Sequence, residues 1–303
     1  VDVFYVAFSG GKDSIVTLDL VQRSLPHNKF KVLFGDTGME FPDTYKLVNM
    51  IAQQCEERSI EFLRAKSNLT PSDSWSLFGP PAVTNRWCCS VHKTSPQVVL
   101  LRKYLGKQNF RGMAFTGIRG DESVSRSEYE DVSLGKKIRG QYSCHPILEW
   151  NAAELFSYIY EQGLLINNTY KKGNTRAGCL VCPMSAGKHE FMKQQSYPDQ
   201  TATFVNKIKA TSGKTENSDA ELMKFIDNGG GGTRKSGQEL NFGQDLHIIE
   251  NGKSKKLITV FTDNPTWVEW AKTIGNIIEI DAEHYTLDYA GKIYQVNRTF
   301  VND

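Results

Sequence analysis

Six residues at positions 9–14, Ser-Gly-Gly-Lys-Asp-Ser, follow a short apolar run and precede a segment with helical periodicity. At such a strand–turn–helix junction, free backbone N–H groups and the helix dipole favour anions. Gly10 and Gly11 let the backbone approach a phosphate closely, and Ser9 and Ser14 add hydroxyl groups. The spacing differs from a Walker A loop, which has four residues between its glycines. The turn therefore indicates an anion site, with an ordinary glycine-containing connection as the alternative.

Four of the six cysteines form two compact groups, Cys88 with Cys89 and Cys179 with Cys182. This cysteine content is far below that of a disulfide scaffold, so the grouping favours metal or redox chemistry. Four thiolates in two groups suit either a structural zinc ion or an iron–sulfur cluster. Unligated thiols packed as small hydrophobic side chains are the third alternative.

The elements that position these residues alternate along the first part of the chain. Strands separated by helices imply a parallel sheet with right-handed crossovers. The sequence therefore predicts an α/β fold with a Rossmann-like parallel sheet and flanking helices. A long irregular excursion over residues 66–98 is expected to be functional. Strands are predicted at 1–8, 31–38, 60–65 and 112–120, and helices at 14–25, 43–58 and 151–165, the last capped by Asn151 with Glu154.

The glycine run at residues 229–232 predicts a linker. We therefore expect two domains: a catalytic domain over residues 1–228, and a small C-terminal α+β module over residues 229–303. Within that module, strands are predicted at 256–263, 275–282, 285–291 and 292–300, and a helix at 264–275.

The hexapeptide at residues 9–14, placed after a buried strand, resembles the pyrophosphate-binding PP-loop, S-G-G-x-D-S, of the adenine-nucleotide α-hydrolase superfamily. This resemblance implies an enzyme that cuts ATP between its α and β phosphates, adenylates a substrate and releases pyrophosphate. Residues 34–45, FGDTGMEFPDTY, resemble the D-T-G-x-x-F-P-E-T-Y segment of the phosphoadenylyl-sulfate (PAPS) reductase family. Residues 116–126, TGIRGDESVSR, resemble that family's G-x-R-x-x-E-S-x-x-R segment. The resemblance extends over residues 3–195.

The resemblance also implies roles for individual residues. Asp36 ends the second predicted strand, at the sheet edge where α/β folds bind ligands. Arg119 and Arg126 are candidates for anion binding because a guanidinium fork matches phosphate or sulfate; surface salt bridges to Asp121 or Glu122 are the alternative. The implied catalytic residues are Lys12, Asp13, Asp36, Arg119 and Arg126. The implied cofactor-binding residues are Ser9, Gly10, Gly11, Asp13, Ser14, Asp36, Thr37, Gly38 and Gly117.

A Cys-Cys pair followed much later by Cys-x-x-Cys resembles the [4Fe–4S] site of the assimilatory adenylyl-sulfate (APS) reductases. Lys93 falls where those proteins have the lysine of C-C-x-x-R-K, although His92 replaces the arginine. Zinc stays open as the alternative metal. The cluster ligands implied by the resemblance are Cys88, Cys89, Cys179 and Cys182.

Two departures from the assimilatory reductases affect the expected function. Those enzymes attack sulfate with a cysteine in a C-terminal E-C-G-L-H motif, whereas no cysteine follows Cys182 here. They have typically also lost the intact S-G-G-x-D-S turn, whereas it is whole here. An intact turn implies that ATP is the substrate, with Mg²⁺ bridging its phosphates.

An intact turn combined with a cluster resembles the sulfurtransferases of DNA phosphorothioation systems, of the DndC and SspD type. This resemblance implies DNA as the acceptor, with tRNA less favoured, and a cysteine desulfurase as sulfur donor. One alternative is a thioredoxin-dependent APS or PAPS reductase without its tail cysteine. The other is a nucleotide-binding subunit without activity of its own.

Composition adds weaker constraints. The net charge of +2 neither favours nor excludes nucleic acid. Two short basic segments, around residues 136–139 and 171–176, offer local contacts for phosphates, although solvated lysines explain them equally well. No apolar run reaches the ~20 residues of a membrane span, so we expect a soluble cytoplasmic protein without a membrane partner. A homo-oligomer or a complex with companion proteins stays open.

Overall fold

The computed structural model describes residues 1–81, 86–134, 140–185, 187–212, 245–250, 253–258, 271–280 and 284–297. Contacts divide the chain into two compact units. The first unit comprises Val1–Ser67 and Val91–Leu180, and the second comprises Asn68–Ser90 and Val181–Asp303. The predicted domain boundary at residue 228, like the glycine run, lies outside the described residues, so it stays a prediction.

The first unit is built on a six-stranded sheet with the order β3-β2-β1-β4-β6-β5. Neighbouring strands from β3 to β6 pair in parallel, and β5 pairs antiparallel to β6 at the edge. The predicted α/β fold with a mostly parallel sheet is thereby confirmed. The β5–β6 pair was not predicted. The strands are β1 Val3–Phe8, β2 Lys31–Asp36, β3 Glu61–Lys66, β4 Gly112–Phe115, β5 Val132–Leu134 and β6 Gln141–Cys144.

The apolar run at the start of the chain forms a central strand of this sheet. Val6 of β1 lies opposite Val32 of β2 on one side and Phe115 of β4 on the other. Val6 and Val32 are fully buried, as expected for a parallel strand covered on both faces. The carboxyl ends of β1, β2 and β4 therefore meet at one edge, which brings the predicted site segments together.

Helices flank the sheet near their predicted positions, and their starts follow local sequence signals. Pro42 occupies the first turn of α2, where its missing N–H costs nothing. Asn151 and Glu154 form the predicted capping box at the start of α7. The helices of the first unit are α1 Lys12–Ser24, α2 Pro42–Glu57, α5 Ser95–Leu105, α6 Val124–Ser127 and α7 Ala152–Glu161. Those of the second unit are α3 Pro71–Phe78, α4 Trp87–Cys89, α8 Gly187–Ser196 and α9 Pro198–Ser212.

The segment at residues 66–98 is more regular than predicted. It contains α3, whose N-terminus is capped by Thr70, and the short α4. A π-helical turn over Ser90–Thr94 then leads directly into α5. In the second unit, Trp75 of α3 packs edge-on against Phe204 of α9 with ring centroids 4.9 Å apart. Trp75 of this segment is therefore a core residue of the second unit.

The described C-terminal residues are mainly antiparallel strands. Three predicted strands occur as a sheet with the order β11-β10-β9, and a separate pair joins β7 to β8. Most of the predicted helix at 264–275 lies outside the described residues, and β7 was not predicted. Within the described part of the chain, no helix combines the length and apolarity of a membrane span. The strands are β7 Asp245–Glu250, β8 Lys253–Ile258, β9 Asn276–Ile280, β10 His284–Tyr289 and β11 Lys292–Asn297.

Candidate nucleotide-binding site

The turn between β1 and α1 depends on glycine at its second position. Gly10 has a φ of +71°, and a Cβ there would lie only 2.8 Å from Thr44 Cγ2 of α2. Asn167, which is fully buried, donates through Nδ2 to the Gly10 carbonyl at 3.0 Å and to Thr44 Oγ1 at 2.8 Å. The turn is therefore fixed from both sides in a conformation that L-side chains rarely adopt.

The two serine hydroxyls of the turn bond to each other and to the turn backbone. Ser14 Oγ donates to the Gly11 carbonyl at 2.9 Å and accepts from Ser9 N at 3.2 Å. Ser9 Oγ lies 3.2 Å from Ser14 Oγ and accepts from Gly11 N at 3.4 Å. These hydroxyls hold the shape of the turn in this structure, and their predicted contact with phosphate stays a prediction.

Tyr170 contacts the first turn of α1. Its hydroxyl oxygen accepts from Lys12 N at 2.9 Å, and its ring centroid lies 5.8 Å from Lys12 Nζ. Burial raises the pKa of Tyr170, so the hydroxyl stays protonated at neutral pH. Tyr170 was not among the predicted site residues, and no spacing in the sequence indicates this contact.

Asp13 lies between two cations. Its Oδ1 accepts from Arg119 Nε at 2.7 Å, and its Oδ2 accepts from Lys12 Nζ at 3.0 Å. Lys12 and Arg119 are 7% and 4% exposed, so both charges are buried beside the turn. Arg119 also donates from Nη1 to both carboxylate oxygens of Asp121, each at 2.7 Å. The pair with Asp121 is therefore observed, with a buried arginine, and the anion-binding role of Arg119 stays a prediction.

Gly117 allows the loop after β4 to pack directly on the turn. A Cβ at Gly117 would lie 2.6 Å from the carbonyl carbon of Asp13 and 2.7 Å from its carbonyl oxygen. Because a backbone cannot yield as a flexible side chain can, this contact requires glycine. Gly117 therefore positions the loop that carries Arg119.

Arg126 and Arg176 both approach Glu122. Arg126 Nη1 contacts a carboxylate oxygen of Glu122, and Arg176 Nη2 lies 3.9 Å from the other oxygen. Burial, and next the positive charge of Arg176, lower the pKa of Arg126. The salt-bridge alternative is therefore observed for Arg126, and an anion-binding role for it stays a prediction.

The two basic segments that the sequence offered as phosphate contacts differ in what the structure describes of them. Lys172 of the second segment donates to Asp43 Oδ2 at 2.7 Å, so a structural ion pair engages this lysine. Arg176 is largely exposed. Lys136, Lys137 and Arg139 of the first segment lie outside the described residues.

Asp36 ends β2, as predicted, at the same sheet edge as the turn. Its Oδ1 accepts from Gly38 N and from Tyr45 Oη, both at 3.0 Å. Thr37 Oγ1 donates to Glu40 Oε1 at 3.1 Å, and the Cys179 thiol donates to the same oxygen at 3.5 Å. The β2–α2 loop thus folds around two acids that accept hydrogen bonds from neutral groups.

Glu40 carries a buried carboxyl group. It is 7% exposed, and its Oε2 has no hydrogen-bond partner among the described residues. Burial raises its pKa, and the positive charge of Lys93 opposes that shift. Glu40 lies inside a quoted family motif at one of its variable positions, so the motif did not identify it as a site residue.

The predicted cluster ligands are not assembled as a metal site in the described structure. Among the described residues, no group of three or more His, Cys, Asp or Glu side chains could hold a metal ion. The Cys179 thiol instead contacts Glu40, and Cys89 is exposed. Cys179 belongs to the first unit, whereas Cys88, Cys89 and Cys182 belong to the second, and the [4Fe–4S] cluster stays a prediction.

A family model describing the phosphoadenosine phosphosulfate reductase domain matches residues 4–185. The chain belongs to this family. The match includes the turn, the β2–α2 loop and the loop with Arg119. An uncharacterised protein of Methanocaldococcus jannaschii is 32% identical to this chain. The match covers 63% of this chain and 38% of the relative. A second protein from that organism is matched over 47% of its length, so the chain spans less than half of either relative.

Relatives named for an activity are more distant. The adenosine 5'-phosphosulfate reductase of Geobacillus kaustophilus is 26% identical over 67% of this family member and 82% of its own length. Among solved structures, the phosphoadenylyl-sulfate reductase of Candida auris in complex with phosphate is 20% identical. It matches with a TM-score of 0.45 over 58% of this chain and 80% of that one.

Proposed function

We propose that this family member binds ATP at residues 9–14 and cuts it between the α and β phosphates. An acceptor oxygen attacks the α-phosphate, pyrophosphate leaves, and the adenylylated acceptor is activated for sulfur transfer. The observation that carries the proposal is the intact Ser-Gly-Gly-Lys-Asp-Ser turn at the start of α1, with Lys12 and Arg119 buried beside it.

The charges around the turn suit this reaction. Negative charge moves onto the leaving pyrophosphate, and preorganised cations that contact it lower the barrier. Lys12 and Arg119 are held in place by Asp13, which accepts a hydrogen bond from each.

Carboxylates near the turn are the proposed ligands of a magnesium ion. Mg²⁺ is usually held through one or two carboxylates together with substrate phosphates, and it would offset the charge of the phosphates. Asp13 and Asp36 are the carboxylates that would hold it, since they follow β1 and end β2 at the same sheet edge. Both acids already accept hydrogen bonds, so holding Mg²⁺ would redistribute those bonds.

Sulfur transfer, with DNA as acceptor and a cysteine desulfurase as donor, rests on the sequence resemblance. A second candidate is reduction of APS, favoured by the curated relatives that carry this name. A nucleotide-binding subunit without activity is the third. The three differ in what the purified protein does with ATP, with APS or with neither.

The test is a pyrophosphate-release assay with ATP and Mg²⁺, run in parallel with DNA, tRNA, sulfate and no acceptor. We expect release from ATP, stimulated by one acceptor, with DNA the expected one. Sulfite formation from APS with thioredoxin, without release from ATP, would select the reductase. Binding of ATP without turnover under all conditions would select the subunit.

The predicted cluster has a separate test. Anaerobically purified protein should contain iron and sulfide, and Cys89→Ser should lower both by removing one ligand. Cys55→Ser is the matched control, since Cys55 is buried against the first sheet and is not a predicted ligand. Equal iron content in the parent protein and Cys89→Ser would remove Cys89 from the set of ligands.

A further inference from the structure

We propose that Asp121 is a positioning residue that holds the Arg119 guanidinium beside the turn, so that Arg119 can contact the phosphates of a bound nucleotide. The inference rests on the proposed function and deepens it. Asp121 occupies a variable position of the quoted family motif, and the sequence offered it only as a salt-bridge partner.

Arg119 is the centre of a three-residue ion network. Its Nε donates to Asp13 Oδ1 at 2.7 Å, while its Nη1 donates to Asp121 Oδ1 and Oδ2, each at 2.7 Å. The Arg119 side chain is 5% exposed, whereas those of Asp13 and Asp121 are 18% and 36% exposed. A buried cation is thus held between two acids, of which Asp121 is the more exposed to solvent.

The two acids engage different nitrogens of one planar group. A guanidinium is rigid, so fixing Nε and Nη1 also fixes the orientation of Nη2. In the described part of the chain, the hydrogen bonds of the Arg119 side chain engage Nε and Nη1, which leaves Nη2 for a ligand. Because Asp121 anchors Nη1 independently, Arg119 keeps its position even when Asp13 changes partners.

The backbone next to Arg119 is fixed as well. Gly120 N donates to the Leu148 carbonyl at 2.8 Å, and a Cβ at Gly120 would lie 3.3 Å from that oxygen. Gly117 packs on the backbone of Asp13 on the other side. With the backbone held on both sides, the remaining freedom of Arg119 lies in its side chain, which Asp121 restrains.

The sign of the effect separates positioning from direct electrostatics. By Coulomb attraction alone, removing the negative charge of Asp121 near an anion site should strengthen anion binding. If Asp121 positions Arg119, its removal should weaken anion binding, because the guanidinium loses the partner of its Nη1. These two expectations have opposite signs, so one measurement distinguishes them.

The experiment measures binding of inorganic pyrophosphate and of ATP to the full chain by calorimetry. We expect Asp121→Ala to weaken both by about tenfold, comparable to losing a hydrogen bond to a charged group. Asp121→Glu should recover part of the affinity. Glu130→Ala, which removes an exposed carboxylate from the same region, should bind as the parent does. A thermal melt of each variant checks that it is folded, and Asp121→Asn serves in the same way if Asp121→Ala does not fold.

A double-mutant cycle completes the test. In an Arg119→Ala background, removing Asp121 should cause no further loss, because the residue through which it acts is gone. Unchanged or tighter binding by Asp121→Ala, with a parent that binds and turns over ATP, would overturn this inference alone. A parent that binds neither pyrophosphate nor ATP would overturn the proposed function and this inference with it.

Discussion

The β1–α1 turn and the β2–α2 loop follow neighbouring strands and meet at one edge of the sheet. Their acidic side chains differ in the groups that donate hydrogen bonds to them. Asp13 of the turn accepts from two cations, Lys12 and Arg119. Asp36 and Glu40 of the loop accept hydrogen bonds from backbone, hydroxyl and thiol groups. The same position in the fold therefore carries two kinds of acid: one balanced by charge, and the other held by neutral donors.

This difference indicates that the turn and the loop have different roles. Cations that are buried beside the turn suit phosphates, because each can form a charge-assisted hydrogen bond to a phosphate oxygen. Buried acids with neutral donors do not attract anions. Such an acid suits a cation, as proposed for Asp36, or holds the loop itself, as Glu40 does. We therefore expect substitutions in the turn to affect turnover, and substitution of Glu40 in the loop to affect mainly stability.

The largest expected effect comes from Asp13→Ala. Without this carboxylate, Lys12 loses the acceptor that holds it beside the turn, and Arg119 loses the acceptor of its Nε. We expect pyrophosphate release to fall by about 10²- to 10³-fold, the range for loss of a preorganised charge contact. Asp2→Ala is the matched control, because Asp2 pairs with Lys107 before the other end of β1. Equal release by Asp13→Ala and the parent would show that the turn is not the ATP site.

An intermediate effect is expected from Gly117→Ala. The added Cβ would lie 2.6 Å from the Asp13 carbonyl carbon, so the turn or the Arg119 loop must shift. We expect the free energy of unfolding to fall by about 1–3 kcal/mol, as for overpacked sites, together with weaker ATP binding. Gly178→Ala is the control, since a Cβ there meets nothing within 4 Å. Equal denaturation midpoints for the two variants would contradict the packing argument.

The smallest effect on turnover is expected from Glu40→Gln, whose signature is in the pH dependence of stability. Burial raises the pKa of Glu40 above its ordinary value of 4.5, so the folded state binds this proton more tightly than the unfolded state. The contribution of Glu40 to stability is therefore present below pH 4.5 and is lost as the pH rises through the folded-state pKa.

Urea denaturation of the parent and Glu40→Gln between pH 4 and pH 8 checks this expectation. The free energy of unfolding of the parent, minus that of the variant, should decrease as the pH rises. Pyrophosphate release should change little. A difference that grows with pH would mean that the neutral environment assigned to this loop is wrong.

Much of the fold was predictable because local patterns determine it. The apolar runs of β1 and β2 and the amphipathic repeats of α1 and α2 lie within a few residues of their predicted positions. Asn151 and Glu154 form their capping box because the contact is local. The three-residue strand β5 has no comparable pattern, since its pairing with β6 is set by tertiary context. Helix α3 was missed because the whole segment over residues 66–98 was predicted to be irregular.

In the candidate site, too, local sequence patterns were predictable and contacts between distant parts of the chain were not. Residues in contiguous motifs, such as Asp13, Asp36 and Arg119, were predicted and do follow or end the strands that meet at one edge. Asn167 and Tyr170 reach the turn from more than 150 positions away, and no spacing in one sequence indicates such contacts. Asp121 was visible only as a neighbour of Arg119, because its significance depends on which nitrogen it engages.

The central claim is that this family member cuts ATP between the α and β phosphates, and product analysis tests it most directly. Purified protein would be incubated with ATP, Mg²⁺ and the best acceptor, and the phosphorus-containing products identified by ³¹P NMR. We expect pyrophosphate together with an adenylylated acceptor or AMP, and about 10²- to 10³-fold slower formation of both with Asp13→Ala. Formation of ADP and orthophosphate would contradict it, because that outcome places the reaction at the γ-phosphate.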